Sequence, residues 1–408
     1  MEFFKVYTVG QVHKELTDAF SGLSPGKEVV DLAHALDRVA AQDIESPHDV
    51  PDFSRSTVDG YAVRSFDTHG SSESVPSMLR LTGEVFIGKS TDIILSPGLA
   101  SYIPTGGMIP SGADSVVMIE HINRLDDEYI EVYKPVSPGE NIMFAGDDMK
   151  KGETAIKRGR IISPLDIGAL AATGKTRIEV YKRLVFYIIS TGDEIIEPSR
   201  NTDYGMVRDI NGYTLQALVR KSGGEVIKRT IVRDDYGLLR EELEKASELA
   251  DIVLISGGSS VGTRDFTPDI INSFGNRGVF VHGIAIKPGK PTIVGKVKNK
   301  AVFGLPGHPV SAVIVYKVIV EHLINHLYGI NRQVQSIKAV ISTNVHSSPG
   351  SRTYRMVSLN TKNGVQYADV IYGKSGMITL LSKACGYIVI DENEEGLNRG
   401  KEVEVYLL

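Results

Sequence analysis

The feature that most restricts the fold is a pair of short, almost wholly apolar runs, each ending on a glycine-bearing loop. Residues 184–190, Leu-Val-Phe-Tyr-Ile-Ile-Ser, pass into Thr191-Gly192-Asp193-Glu194. Residues 251–255, Asp-Ile-Val-Leu-Ile, pass into Ser256-Gly257-Gly258. A strand with one wet face alternates apolar and polar residues, so an unbroken apolar run belongs to a strand covered on both faces. Helical spacing recurs between the runs, at 211–221 and 236–248, with a further strand at 226–232. A strand at 301–303 leads into a long apolar helix at 310–327. This alternation predicts a parallel α/β domain whose ligands bind at the carboxyl ends of its strands.

The flanking regions read differently. Thr8 caps a helix over 8–20 that repeats Val12, Leu16 and Phe20, and 31–40 reads as a second helix with Leu32, Leu36 and Val39 on one face. Between about 50 and 150, short β-like runs at 79–87, 101–103, 115–119 and 129–133 are punctuated by Ser96-Pro97-Gly98 and Ser137-Pro138-Gly139. Ser163-Pro164-Leu165 opens a helix that runs through Ala172. From about 335 onward only strand-like runs remain (337–342, 353–359, 365–371, 386–390, 402–407), the pattern of a small closed β domain.

Composition excludes several classes. With a net charge of −5 and no long Lys/Arg tract, the chain has no nucleic-acid stripe. The single cysteine, Cys385, cannot build a disulfide or a thiolate zinc site within the chain and reads as a small buried apolar residue. The opening Met-Glu-Phe-Phe-Lys-Val has no basic region followed by an apolar one, and no apolar run is expected to reach the ~20 residues of a membrane span. The expected location is therefore the cytoplasm.

Gly83-Glu-Val-Phe-Ile-Gly88-Lys89-Ser90 has P-loop spacing, but its intervening residues look like a strand and no helical pattern follows at 91–97, so it is set aside. The strongest anion signal is Ser256-Gly257-Gly258-Ser259-Ser260-Val261-Gly262-Thr263-Arg264-Asp265, directly after a buried strand. Glycines let backbone N–H groups converge on a phosphate, Ser hydroxyls add donors, and Asp265 and Asp269 are placed to hold Mg²⁺. A plain glycine-rich loop is the competing reading. Asp193 and Glu194 suit a metal or hydroxyl, or simply cap a solvated turn. Ala285-Ile-Lys287-Pro-Gly289-Lys290-Pro is a stiff turn whose two lysines suit an oxyanion or merely water. Gly304-Leu-Pro306-Gly-His308-Pro309-Val-Ser precedes the long helix and offers its N-terminus to an anion; His308 reads as a base or as a structural residue. Taken alone, Ser56–Ala62, Thr105-Gly106-Gly107 and Gly112-Ala113-Asp114 are turns.

Together these segments resemble the MoeA molybdopterin molybdenumtransferases, a family that includes the gephyrin E domain. The likeness spans essentially the whole chain. It rests on Val58-Asp-Gly-Tyr-Ala62, Ile103-Pro-Thr-Gly106, Ser190-Thr-Gly-Asp-Glu194, Arg233-Asp-Asp235, Ser256–Gly262, Ala285–Pro291 and Gly304–Ser311. The resemblance implies an elongated N-terminal domain (1–48 and 141–178), an inserted β-rich domain (49–140), an α/β molybdopterin-binding domain (179–330) and a C-terminal β-barrel-like domain (331–408). It implies a homodimer with a site between the α/β domain of one chain and the inserted β domain of the other. Carried over by motif, the catalytic residues are Asp59, Thr105, Asp148, Glu194, Asp234, Asp265 and Lys287. Cofactor binding falls to Ser256, Gly257, Gly258, Ser259, Ser260, Gly262, Lys290, Pro306 and Pro309. The chain departs from the pattern at Val58 (usually Met), at His308 (often Asn), at Gly283 (usually Lys) and at Met143-Phe144-Ala145, where basic residues often stand.

The expected activity is insertion of molybdate, or tungstate, into adenylylated molybdopterin with release of AMP. Acids facing an anionic pyrophosphate need a screening cation, so Mg²⁺ is expected on Glu194, Asp234 and Asp265. The adenylyltransferase that supplies the substrate is the expected partner. The alternatives are adenylyltransferase activity itself, argued against by the extra β domains, and a non-catalytic scaffold of the gephyrin E-domain type, argued against by the retained acids.

Overall fold

The computed structural model describes residues 6–201, 203–257, 266–275, 277–330 and 335–408. The chain divides into two compact units. One comprises residues 1–28, 37–41 and 180–408, the other residues 29–36 and 42–179.

At the centre of the first unit lies a six-stranded sheet, in the order Glu225–Val232, Val185–Thr191, Ile252–Ser256, Lys300–Leu305, Ile293–Val297, Gly278–His282. The first four strands run parallel, as the buried runs require, and all five residues of Ile252–Ser256 are buried. The last two strands are antiparallel additions, so the sheet is mixed rather than wholly parallel. Tyr187, Ile189, Val253, Ile255 and Val302 pack one face against Leu239, Leu243 and Ala246 of the helix Tyr236–Leu249. The helical stretch Pro309–Tyr328 contains a π-helical segment at Tyr316–Val320. Contrary to the sequence expectation, its 20 residues are long and apolar enough to cross a membrane by length and composition. Its apolar window is 67% buried inside the protein, as in a core helix. The first helix, Val9–Ala19, has the expected Thr8 cap, completed by Gln11.

In the C-terminal part of this unit, Arg352–Lys362, Val365–Val370, Ser336–Ile341, Glu402–Leu407 and Gly386–Ile390 pair in sequence, and the last pairs back to the first. The expected closed β domain is thus a five-stranded barrel filled by Ile341, Val357, Ile388, Ile390 and Val405.

In the second unit, six strands pair in the order Ser115–Met118, Gly60–Val63, Leu99–Ile103, Ser77–Glu84, Tyr129–Val132, Ile122–Arg124. Tyr61, Val63, Leu79, Val117 and Ile130 form part of their core. The P-loop look-alike sits on the strand Ser77–Glu84 and the turn after it, and no helix follows at 91–97. The helix Pro164–Ala172 has its expected Ser163 cap. The helix expected at 31–40 does not form. Lys27–Asp31 is a strand and Leu32–His34 a single 3₁₀ turn, whereas Asp37 sits at φ 60°, a left-handed conformation that ends a helix. Leu36 is 45% exposed, so the apparent apolar stripe is not a buried face.

Candidate active site

Three neighbouring parallel strands end side by side in the first unit, with Ser190 opposite Ser256 and Ser256 opposite Leu305. The loops leaving them come into van der Waals contact. Gly257 has φ 114°, and a Cβ there would lie 2.2 Å from the Thr191 carbonyl oxygen, so only glycine fits. The Gly257 N–H donates to the Leu305 carbonyl at 3.3 Å.

These ends border a cleft of about 230 Å³. Ser190, Thr191 and Glu194 line it from the first strand end, Ser256 and Gly257 from the second, and Gly307, His308 and Pro309 from the third. Arg208, Asp209 and Asn211 contribute from the start of the helix Ile210–Lys221, and Gly376 from the C-terminal part. Asn211 ties two loops together, because its Nδ2 donates to Ser256 Oγ and to the Gly307 carbonyl, both at 2.7 Å. Asp209 caps the helix by accepting from the Gly212 N–H at 2.8 Å, and it also accepts from the Ser190 hydroxyl at 2.9 Å and Arg229 at 2.8 Å. Arg229 in turn lies 3.9 Å from the Tyr213 ring centroid. Asp209 is therefore a framework residue with its acceptors already engaged.

Of the residues singled out by sequence, Glu194 and Asp234 follow adjoining strand ends, Glu194 within the cleft lining and Asp234 outside it. Asp234 follows the strand Glu225–Val232. It accepts from the Thr191 hydroxyl at 2.6 Å, and its N–H donates to Asp193 Oδ1 at 3.3 Å. Glu194 folds back so closely that a Cβ on Gly192 would lie 2.7 Å from its Oε2. Gly258, Ser259, Ser260, Gly262 and Asp265 lie outside the described residues. Among the described residues, no group of three or more His, Cys, Asp or Glu side chains gathers to hold a metal ion. Glu194 and Asp234 are nonetheless hard oxygen donors at adjoining strand ends, a chemistry that suits a divalent cation with further ligands.

Lys287 and Lys290 are exposed and lie outside the cleft lining. Lys287 pairs with Thr353 on the edge of the barrel sheet. Pro306 is buried, and Pro309 opens the long helix. His308 is exposed, and its Nδ1 lies 2.8 Å from Ser375 Oγ.

In the second unit, the Thr105 N–H donates to Asp59 Oδ1 at 2.6 Å. That bond and then the Thr105 hydroxyl hold the Asp59 carboxyl below its usual range. Gly60 follows because a Cβ there would meet the Val117 carbonyl oxygen at 1.9 Å. Asp148 is exposed on a separate loop, with its N–H on the Val50 carbonyl at 3.1 Å. Among the described residues, no hydrogen bond joins it to Asp59 or Thr105. Motif reading passed over Arg208, Asp209, Asn211 and Gly376. The Asp-Ile-Asn-Gly start of the helix carried a capping signal, whereas nothing local marked Gly376.

Comparison with known proteins gives the family. Residues 8–174 match the model for the MoeA N-terminal region (domain I and II), 187–326 that for a probable molybdopterin binding domain, and 338–408 that for the MoeA C-terminal region (domain IV). The chain is 36% identical over 389 residues to a Methanocaldococcus jannaschii protein described as a molybdopterin biosynthesis protein, covering 93% of this chain and 92% of that one. It is 31% identical over 382 residues to the molybdopterin molybdenumtransferase of Haemophilus influenzae, covering 93% of each. The crystal structure of a molybdopterin biosynthesis moeA protein from Pyrococcus horikoshii superposes with a TM-score of 0.85 at 33% identity, covering 99% of this chain and 100% of that one.

Proposed function

Because the chain belongs to the MoeA family of molybdenum cofactor biosynthesis, we propose that it inserts molybdate into adenylylated molybdopterin with release of AMP. The observation that carries this reading is the cleft where Thr191, Gly257 and Gly307 converge, in a chain matched along its length by relatives named molybdopterin molybdenumtransferase. Strand ends of α/β sheets are where phosphorylated ligands bind. In this reading the ligand's phosphates face Ser256, Gly257 and the segment containing Gly258, Ser259, Ser260 and Gly262. Asn211 holds the Ser256 and Gly307 loops at a fixed separation, so that the ligand meets a preformed wall. Pro306 and Pro309 stiffen the third loop. Asp59, Thr105 and Asp148 are carried over by motif as catalytic residues, Asp59 as a carboxylate kept charged by Thr105. Lys287 and Lys290 supply positive charge for the oxyanion. Mg²⁺, when bound, would be held by Glu194 and Asp234 with Asp265 and would neutralise the pyrophosphate.

The same reading takes the chain as a cytoplasmic homodimer of four-domain protomers, divided at the boundaries given above, that receives its substrate from an adenylyltransferase. Purified protein given adenylylated molybdopterin and molybdate should release AMP and yield a molybdenum-loaded pterin, whereas ATP plus molybdopterin should give no turnover. AMP release that persists unchanged in both Glu194→Ala and Asp234→Ala variants would remove the assigned site.

A further inference from the structure

The third strand-end loop carries a histidine whose two ring nitrogens face different tasks. His308 Nδ1 lies 2.8 Å from the Ser375 hydroxyl oxygen, and the Ser375 carbonyl accepts from the Val310 N–H at 3.2 Å. One serine from the C-terminal part thus fixes both the imidazole and the first turn of the long helix. Gly376, next in the chain, lies against the other edge of the ring: a Cβ there would sit 3.9 Å from His308 Nε2. His308 and Gly376 both line the cleft. Among the described residues Nε2 has no hydrogen-bond partner.

The cleft's other charged side chains limit what Nε2 can meet. Asp209 is engaged by Arg229, Ser190 and Gly212. Arg208 donates its Nε–H to the Pro198 carbonyl at 3.1 Å and keeps its outer guanidinium nitrogens. Glu194 is an anion that a phosphate tolerates only with donors nearby. A serine hydroxyl donating to Nδ1 leaves the ring proton on Nε2, whereas an imidazole braced from one side loses little freedom when its other nitrogen binds.

We propose that His308 is a phosphate-binding residue whose tautomer is set by Ser375, with Nε2–H donating to a phosphate oxygen of the ligand in the cleft. The assignment rests on reading the cleft as the site of a phosphorylated pterin. It makes the C-terminal part a contributor to ligand recognition through Ser375, a positioning residue.

The test is binding of molybdopterin and of its dephosphorylated form to the full chain, followed by pterin fluorescence. Loss of a hydrogen bond to a charged group predicts about tenfold weaker molybdopterin binding in His308→Leu, with dephosphorylated ligand unaffected. His308→Gln, which returns a neutral N–H near the Nε2 position, should recover to within about threefold. Ser375→Ala should weaken binding about threefold in the wild-type background and not at all in His308→Gln, because the two residues act through one contact. Equal loss for both ligands in His308→Leu, or a Ser375→Ala effect that persists in His308→Gln, overturns the proposal while leaving the cleft reading intact. A wild-type chain that binds neither ligand overturns both.

Discussion

Replacing Asp209 by Ala should loosen the edge of the cleft by an amount that can be worked from its contacts. The Asp209 side chain is 2% exposed and that of its partner Arg229 14%. Loss of the helix cap on Gly212 costs about 1 kcal/mol. Stripping a buried cation of its partner costs about 3–5 kcal/mol. The second term is reduced here because Glu197, 38% exposed, keeps a carboxylate 3.1 Å from Arg229. The sum is about 3–4 kcal/mol, or roughly a 300-fold rise in local opening at 1.4 kcal/mol per decade. Asp209→Asn keeps a cap acceptor and loses only the charge, which predicts about 2 kcal/mol and roughly 30-fold. Native-state hydrogen exchange of the amides in Val185–Thr191 and Ile210–Lys221 reads this directly. An Ala variant with less than a tenfold loss of protection, or an Asn variant as damaged as Ala, would refute the view that a charged framework holds this strand end.

Three further outcomes are expected. Gly60→Ala should destabilise the six-stranded module of the second unit by at least about 2 kcal/mol, since its Cβ would fall 1.9 Å from the Val117 carbonyl oxygen; an unchanged melting temperature would contradict this. The Asp59 carboxyl should titrate below 3.8, because the Thr105 N–H and hydroxyl favour its charged form. Its contact with Thr105 should hold at neutral pH and be lost only as pH falls through that lowered value. NMR titration of the Thr105 amide checks this, and a midpoint at or above 3.8 would count against it. The His13 and His322 rings stack at 3.8 Å, and burial, then the His13 charge, pushes His322 down to about 4. An unfolded histidine titrates near 6.5, so the stability tied to neutral His322 is present above that pH and lost as pH falls toward 4. Exchange protection of the helix Val9–Ala19 should therefore drop across that window and do so less in His322→Gln.

Legibility in the sequence follows the range over which a residue acts. The strand Ile252–Ser256 was readable because its two-sided burial is encoded in its own side chains, and the caps Thr8 and Ser163 because a cap bonds three residues away. The false helix at 31–40 shows the converse. The spacing of Leu32, Leu36 and Val39 mimics a helical stripe, but the structure buries Ala35 and Val39 and leaves Leu36 at 45% exposure. The antiparallel strands Gly278–His282 and Ile293–Val297 were missed because each takes its identity from a partner rather than from its own period.

The site divides along the same line. Glu194 was legible because an acid at the end of a buried strand is a local signal, and Asp234 because it lies in the family motif Arg233-Asp-Asp235. Asn211 was not, because its bonds reach Ser256 and Gly307, 45 and 96 residues away. Motifs therefore identify the groups proposed to meet the ligand, whereas the spacing of the cleft's loops is set by residues whose partners lie elsewhere in the chain. Substitutions at the two kinds of position should fail differently. Loss of Glu194 removes a carboxylate from an otherwise intact cleft and should reduce turnover of bound substrate. Loss of Asn211 lets the Ser256 and Gly307 loops drift apart, which should weaken binding of every ligand the cleft accepts while leaving each acid in place.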